Sequence, residues 1–254
     1  MSTKYLNNRD MLKQIHLSKL TYSSFVSDDD AHYDLILPSV DKINIRTIAQ
    51  AKRERAKRLE RETGEKQDPK KIEKHDLVFR IMTFDHVPNS KRKAKPKNIA
   101  ESKVKVNFPP FQHWRFNDKD KLVCVGKSHW QGGMSNGHFS IDHGKMTNTL
   151  AKMFVLLTQR YGTRGNWRGY TYNDEMQGQA LVQLSQIGLQ FDESKSDNPF
   201  AYYTAAITNS FTRILNVEKK NQSLRDDLLQ EAGMTPSHTR QIEWEIKQKK
   251  ENGK

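Results

Sequence analysis

Four side chains able to ligate a divalent metal fall within one short stretch of this 254-residue chain: Cys124, His129, His138 and His143. Zinc favours nitrogen and sulfur donors in a tetrahedron, so the donor types suit it. The spacing does not, because the paired short intervals of a zinc finger are missing. Histidine also serves as a hydrogen-bonding or partly buried ring, and a lone cysteine as a small core side chain. These four are therefore weak metal candidates, and no resident metal or other cofactor is expected. Asp142-His143 would suit a metal-dependent nuclease with histidine as base, but the following helical stretch, residues 146–161, has no histidine to complete the site. The chain also lacks a glycine-rich phosphate loop, a His-Glu-x-x-His helix and a nucleophile elbow. A binding protein, not an enzyme, is the expectation.

The charge balance points to what is bound. The formal net charge is +13, with 29% charged and 35% apolar residues, so a polyanion is the expected partner. Charge alone leaves DNA, RNA and anionic lipid open. A single cysteine excludes an internal disulfide framework and suits a reducing compartment. No stretch approaches the ~20 apolar residues of a membrane span, and residues 1–20 lack the apolar core of a signal peptide. A soluble protein without a membrane partner is expected.

The elements that must position any site follow from periodicity. Asn7 and Asn8 are helix caps ahead of Met11, Leu12 and Ile15. Residues 44–62 form a charge-dominated helix stopped by Gly64, which is either a solvated spacer or a helix facing nucleic acid. Residues 77–84 have strand composition. Residues 90–97 (SKRKAKPK) are densely basic and carry a proline, fitting a loop. Runs 112–116 and 121–126 flank Asn117-Asp118-Lys119-Asp120 and predict a β-hairpin. Helical spacing returns with Leu150, Met153, Phe154 and Leu157 and continues to the end. The expected domains are 1–25, an N-terminal helix; 26–107, a charged helix and basic linker; 108–143, a β-rich insert; 144–233, a helical domain; and 234–254, a charged helix or tail.

Residues 166–221 predict two helices. Met176, Ala180, Leu181, Leu184 and Ile187 make the apolar face of the first. Gly188 and residues 191–198 interrupt it, and Asn198-Pro199 restarts a second helix. That helix places Tyr202, Tyr203, Ile207, Phe211 and Leu215 among Thr204, Thr208, Asn209 and Arg213, and is expected to end at Lys219-Lys220.

This order of an acidic, glutamine-bearing helix, a Phe-Asp turn, an Asn-Pro-x-Ala-Tyr start and a Thr-Arg pair resembles conserved region 2 of sigma factors. It is most similar to the late-transcription sigma factors of T-even-like bacteriophages, whose cyanophage branch the 108–143 zone also resembles. The resemblance implies a mainly α protein: a region 2-like helical domain with a small inserted β-rich element and a basic, partly disordered N-terminal half. It implies a factor for transcription initiation in the host bacterial cytoplasm, which binds RNA polymerase core and recognises and opens AT-rich late promoters. Asp174, Glu175, Gln177 and Gln183 would meet the coiled coil of the largest polymerase subunit. Tyr202, Tyr203, Asn209, Phe211, Thr212, Arg213, Lys219 and Lys220 would meet promoter DNA. A phage co-activator and sliding clamp would be further partners, the clamp through Ile242, Trp244 and Ile246. Two departures stand out: Ala205-Ala206 occupy the place of a strand-separating tryptophan pair, and residues 221–254 are too short for a helix-turn-helix domain that reads an upstream element. A polymerase- or DNA-binding protein without initiation activity is the alternative, and a nuclease the third.

Overall fold

The structure, a computed structural model, describes residues 6–88, 96, 99–102, 104–142 and 144–252. The chain forms two compact units. The first comprises Met1–Val155 and Ser185–Tyr203, and the second Leu156–Leu184 and Thr204–Lys254.

The first unit is built on a five-stranded mixed sheet. Its strands are β1 (Ser23–Phe25), β2 (Leu35–Leu37), β3 (Val78–Met82), β4 (Phe111–Phe116) and β5 (Leu122–Ser128), in the order β1-β5-β4-β3-β2. Only the β2–β3 pair is parallel. The expected hairpin is present, with Asn117 Oδ1 accepting from Lys119 N and Lys121 N in its turn. β6 (Trp130–Gln131) and β7 (His138–Phe139) make a second, two-stranded sheet.

This overturns the expected fold class. Helix accounts for 52% of the described residues, and the strands form a sheet too large to be a small inserted element. Residues 6–88, expected within a basic and partly disordered N-terminal half, are folded and supply three of the five strands. The physical reason is that β4 and β5 have unpaired edges unless other strands cover them. β1 and β3 do so, and β2 follows on β3. The basic run 90–97 lies, apart from Pro96, outside the described residues.

Alternation along β3 gives the sheet two chemically different faces. Phe79 and Ile81 join Leu37, Leu77 and Phe116 against α2 (Ile45–Thr63), whose Ala51 and Ala56 are buried there. Small residues let this helix lie close to the sheet. Arg80 points to the opposite face with Phe111 and His113, where α1 (Asn8–Leu20) contributes Lys19. At β5, Gly126 sits opposite Phe25 and His113, and any Cβ there would enter the Phe25 ring.

Local capping explains where the helices begin. Asn7 Oδ1 accepts from Asp10 N at 2.7 Å to start α1. Asn44 accepts from Arg46 N and Thr47 N, while Thr47 Oγ1 accepts from Asn44 N at 2.8 Å, a reciprocal capping box for α2. Gly64, at φ +78°, ends it. Substituting Asn44 by alanine is expected to destabilise the protein by about 1 kcal/mol, read as a lower midpoint in urea. An unchanged midpoint would show that the cap contributes nothing.

The second unit is helical. It holds the end of α3 (Asn148–Gly162), most of α4 (Asn173–Ile187), α5 (Pro199–Glu231) from Thr204 onward, and α6 (His238–Asn252). Tyr161, Trp167 and Phe211 form its aromatic core, with the Tyr161 hydroxyl 2.6 Å from Thr208 Oγ1. α5 does not end at Lys219-Lys220 as expected. Residues 221–231 contain no glycine or proline, so nothing stops the helix until Gly233, at φ +70°. Asp226 then accepts from Ser237 N and Oγ at the start of α6.

Candidate nucleic-acid and polymerase interface

The expected DNA-contacting residues divide between the two units. In the first unit, Tyr203 is 0% exposed, packs on Phe154 and Phe191, and donates its hydroxyl to Gly188 O at 2.5 Å. It is a core residue that pins the α4–α5 turn. Tyr202 is half-buried against Phe191 and Tyr203. In the second unit Phe211 is likewise 0% exposed. Neither Tyr203 nor Phe211 presents a ring to a base.

What α5 does present is polar. Asn209, Thr212, Arg213, Asn216, Val217 and Lys220 line an open surface depression. Their intervals of three and four residues place them on one stripe, spanning about 16 Å from first to last. Ile207, Ser210 and Phe211 are buried on the opposite side. Two amides, a hydroxyl, a guanidinium and an ammonium along one open face can donate to phosphates and bond base edges. Asn216 was not anticipated, although its spacing from Asn209 and Arg213 was available in the sequence. Lys219 is exposed but lies roughly a quarter-turn off this stripe.

On α4, the four expected polymerase contacts do not share a face. Asp174 and Glu175 are exposed in the first turn, where negative charge also complements the helix dipole. Gln177 is engaged internally, donating to Asn173 Oδ1 at 2.5 Å, and Asn173 in turn donates to Gly162 O and Trp167 O. Gln183 is half-buried and, nine residues on, lies about half a turn away from Asp174. Val182, 50% exposed, stands seven residues after Glu175 and shares its face. The outer surface of α4 in this unit is thus two carboxylates followed by an exposed apolar side chain.

The metal candidates are dispersed in role. Cys124 is on β5, where burial pushes its thiol up. His129, at φ +53°, is buried against Phe108. His138 is exposed on β7, and His143 is outside the described residues. Among the described residues no group of three His, Cys, Asp or Glu is placed to hold a metal ion. Ile242, Trp244 and Ile246 are exposed on α6; the first and last share a face and Trp244 points elsewhere.

A polar cluster that sequence reading missed lies in the first unit. Glu193, whose side chain is 5% exposed, accepts from Lys19 Nζ at 2.9 Å, Arg80 Nη1 at 3.0 Å and the Tyr33 hydroxyl at 2.7 Å. Lys19 Nζ also donates to Phe191 O. The Arg80 guanidinium is sandwiched between the rings of Tyr33 and Phe111, each 3.9 Å away. Its Nε donates to His113 Nε2 at 3.0 Å, which requires that nitrogen to be unprotonated, and His113 Nδ1 then donates to Asp30 O. Burial alone would raise the Glu193 carboxyl, but Lys19 and Arg80 outweigh it and hold the group well below the carboxylate range. Burial lowers Lys19, opposed by Glu193. Burial and the nearby Arg80 lower His16 to about 3 and His113 well below its ordinary value. Nothing local in the sequence links these residues.

Among the described residues no helix is long and apolar enough to cross a membrane. Compared with protein-family models, with curated proteins and with solved structures, the chain finds no match.

Proposed function

We propose that this protein is a sigma-type transcription initiation factor of a tailed bacteriophage, acting in the host cytoplasm on bacterial RNA polymerase core and AT-rich late promoters. The observation that carries the reading is the open amide-and-cation stripe of α5, with its apolar side buried. In this reading Asn209, Arg213, Asn216 and Lys220 contact promoter DNA. Asp174, Glu175 and Val182 dock on a basic coiled coil of the largest polymerase subunit, where carboxylates favour arginine-bearing partners. Upstream contacts would come from a co-activator and a sliding clamp, the latter on α6.

Purified protein, polymerase core and a late-promoter template provide the test. Reversing Asp174 and Glu175 to lysine is expected to abolish copurification with core and run-off product together. Alanine at Asn209, Arg213 and Lys220 is expected to leave core binding intact and reduce run-off product about tenfold or more, as loss of specific DNA contacts does. Wild-type protein that yields no promoter-dependent product removes the proposal.

One observation favours a second reading, a polymerase- or DNA-binding protein that does not initiate. Phe211 is buried, which leaves the polar stripe of α5, residues 209–220, without an exposed ring to hold an unpaired base. That reading predicts binding to core or duplex with no permanganate-reactive thymines.

A further inference from the structure

The outer face of α2 carries a surface that the promoter reading does not use. Seven basic and three acidic residues lie between Ile45 and Thr63. Two of the arginines are consumed internally: Arg58 Nη2 and Arg55 Nη1 lie 2.9 Å and 3.5 Å from the buried carboxylate of Asp34. Arg46, Gln50, Arg53, Lys57 and Arg61 recur at intervals of three and four on the side away from the sheet, and all are exposed. Glu54 and Glu60 lie on the flanks of this stripe. The 2.8 Å pair of Lys57 with Glu54 is solvent-exposed and of the kind that contributes little and exchanges readily.

We propose that this stripe is a docking surface for the phosphate backbone of duplex DNA. Its four cations extend along about 22 Å of straight helix, which is roughly two thirds of a duplex turn. A rigid row of charge fits a polyanion that is itself straight over that length. The chemistry disfavours other polyanions. α2 carries no aromatic residue, so it offers no stacking platform for single-stranded bases. An anionic membrane would need an apolar face to insert beside the cations. The apolar side of α2, with Ile48, Ala51 and Ala56, is packed in the core. The surface contains no base-reading geometry, so the contact is independent of sequence. It lies in the first unit and does not rest on α5 opening a promoter.

The experiment compares the full chain with the quadruple variant Arg46→Gln, Arg53→Gln, Lys57→Gln, Arg61→Gln across a salt series. Binding is read by fluorescence anisotropy on a random-sequence duplex, an equal-length single-stranded RNA and anionic vesicles. The four side chains are exposed, and circular dichroism checks that the fold is retained. The variant is expected to lose duplex affinity at least tenfold at low salt. Its plot of log K against log salt should flatten by about 3 to 4, the slope of roughly four lost phosphate contacts. An unchanged slope overturns the proposal. So does a wild-type preference for RNA or vesicles that the four substitutions remove. Failure of promoter opening by the wild type, with the α2 slope change intact, would count against the initiation reading alone.

Discussion

Replacing Glu193 by glutamine is expected to lower the unfolding free energy by about 3–5 kcal/mol, the cost of removing one partner from a buried charge pair. The amide keeps the shape and can still meet Tyr33. It cannot neutralise Lys19 and Arg80, both about 1% exposed. Two cations would then sit in the core with no carboxylate between them. Arg80 retains its two stacked rings and His113, so Lys19 is the group left most exposed to the penalty. Adding Lys19→Met to Glu193→Gln should therefore recover part of the loss. Urea unfolding of the single variants and the pair measures the coupling. A loss below about 1 kcal/mol for Glu193→Gln would mean that the cluster does not hold the first unit together.

Acid is expected to unfold the protein between about pH 5.5 and 4, a transition that begins above the pH at which most carboxylates titrate. An imidazole in an unfolded chain ionises near 6.5. Burial holds His16 to about 3, His86 to about 4 and His113 well below its ordinary value. Above 6.5 neither state binds the proton, and full stability is present. As pH falls below 6.5 the unfolded chain takes up protons that the folded chain refuses. Each histidine then costs about 1.4 kcal/mol per pH unit until its folded value is reached. Three together approach about 4 kcal/mol per unit, against typical stabilities of about 5–15 kcal/mol. The hydrogen bonds oppose protonation as well: His113 Nε2 must accept from Arg80, and His86 Nδ1 lies 3.3 Å from the Gln112 amide. Ellipticity that holds steady from pH 7 to 4 would refute this. His16→Gln, which removes one titrating ring, should make the transition shallower.

Local features of the fold were legible because their causes are local. Asn7, Asn44, Gly64 and Asn198-Pro199 mark helix ends through hydrogen bonds within four residues. The 112–126 hairpin announces itself by composition around one turn. β1 and β2 are three residues each, too short to display a period of two. Their recruitment depends on partners distant in the chain, and β2 pairs in parallel with β3 across the whole of α2. That gap turned a central sheet into an apparent insert.

The candidate site was legible to a similar depth. The stripe of α5 follows from spacing, but helically spaced rings do not declare which side they face, and Tyr203 and Phe211 went to the core. Gln183 is a different case, since the helical period alone places it away from Asp174. The Glu193 cluster could not be read at all. Its members are separated by up to 174 residues, and a lone glutamate beside Phe191 and Asp192 carries no sign of the two cations it will meet.

That separation has a consequence during synthesis. The sheet is complete once Ser128 has been made, yet Lys19 and Arg80 have no counter-charge until Glu193 leaves the ribosome. At ordinary elongation rates the nascent polypeptide waits roughly 3 to 13 s in that condition. Throughout the interval an open sheet face with two uncompensated cations is accessible to chaperones or to any anionic surface nearby. The order of translation thus makes the closing of the first unit a late event, timed by a segment made well after the last strand.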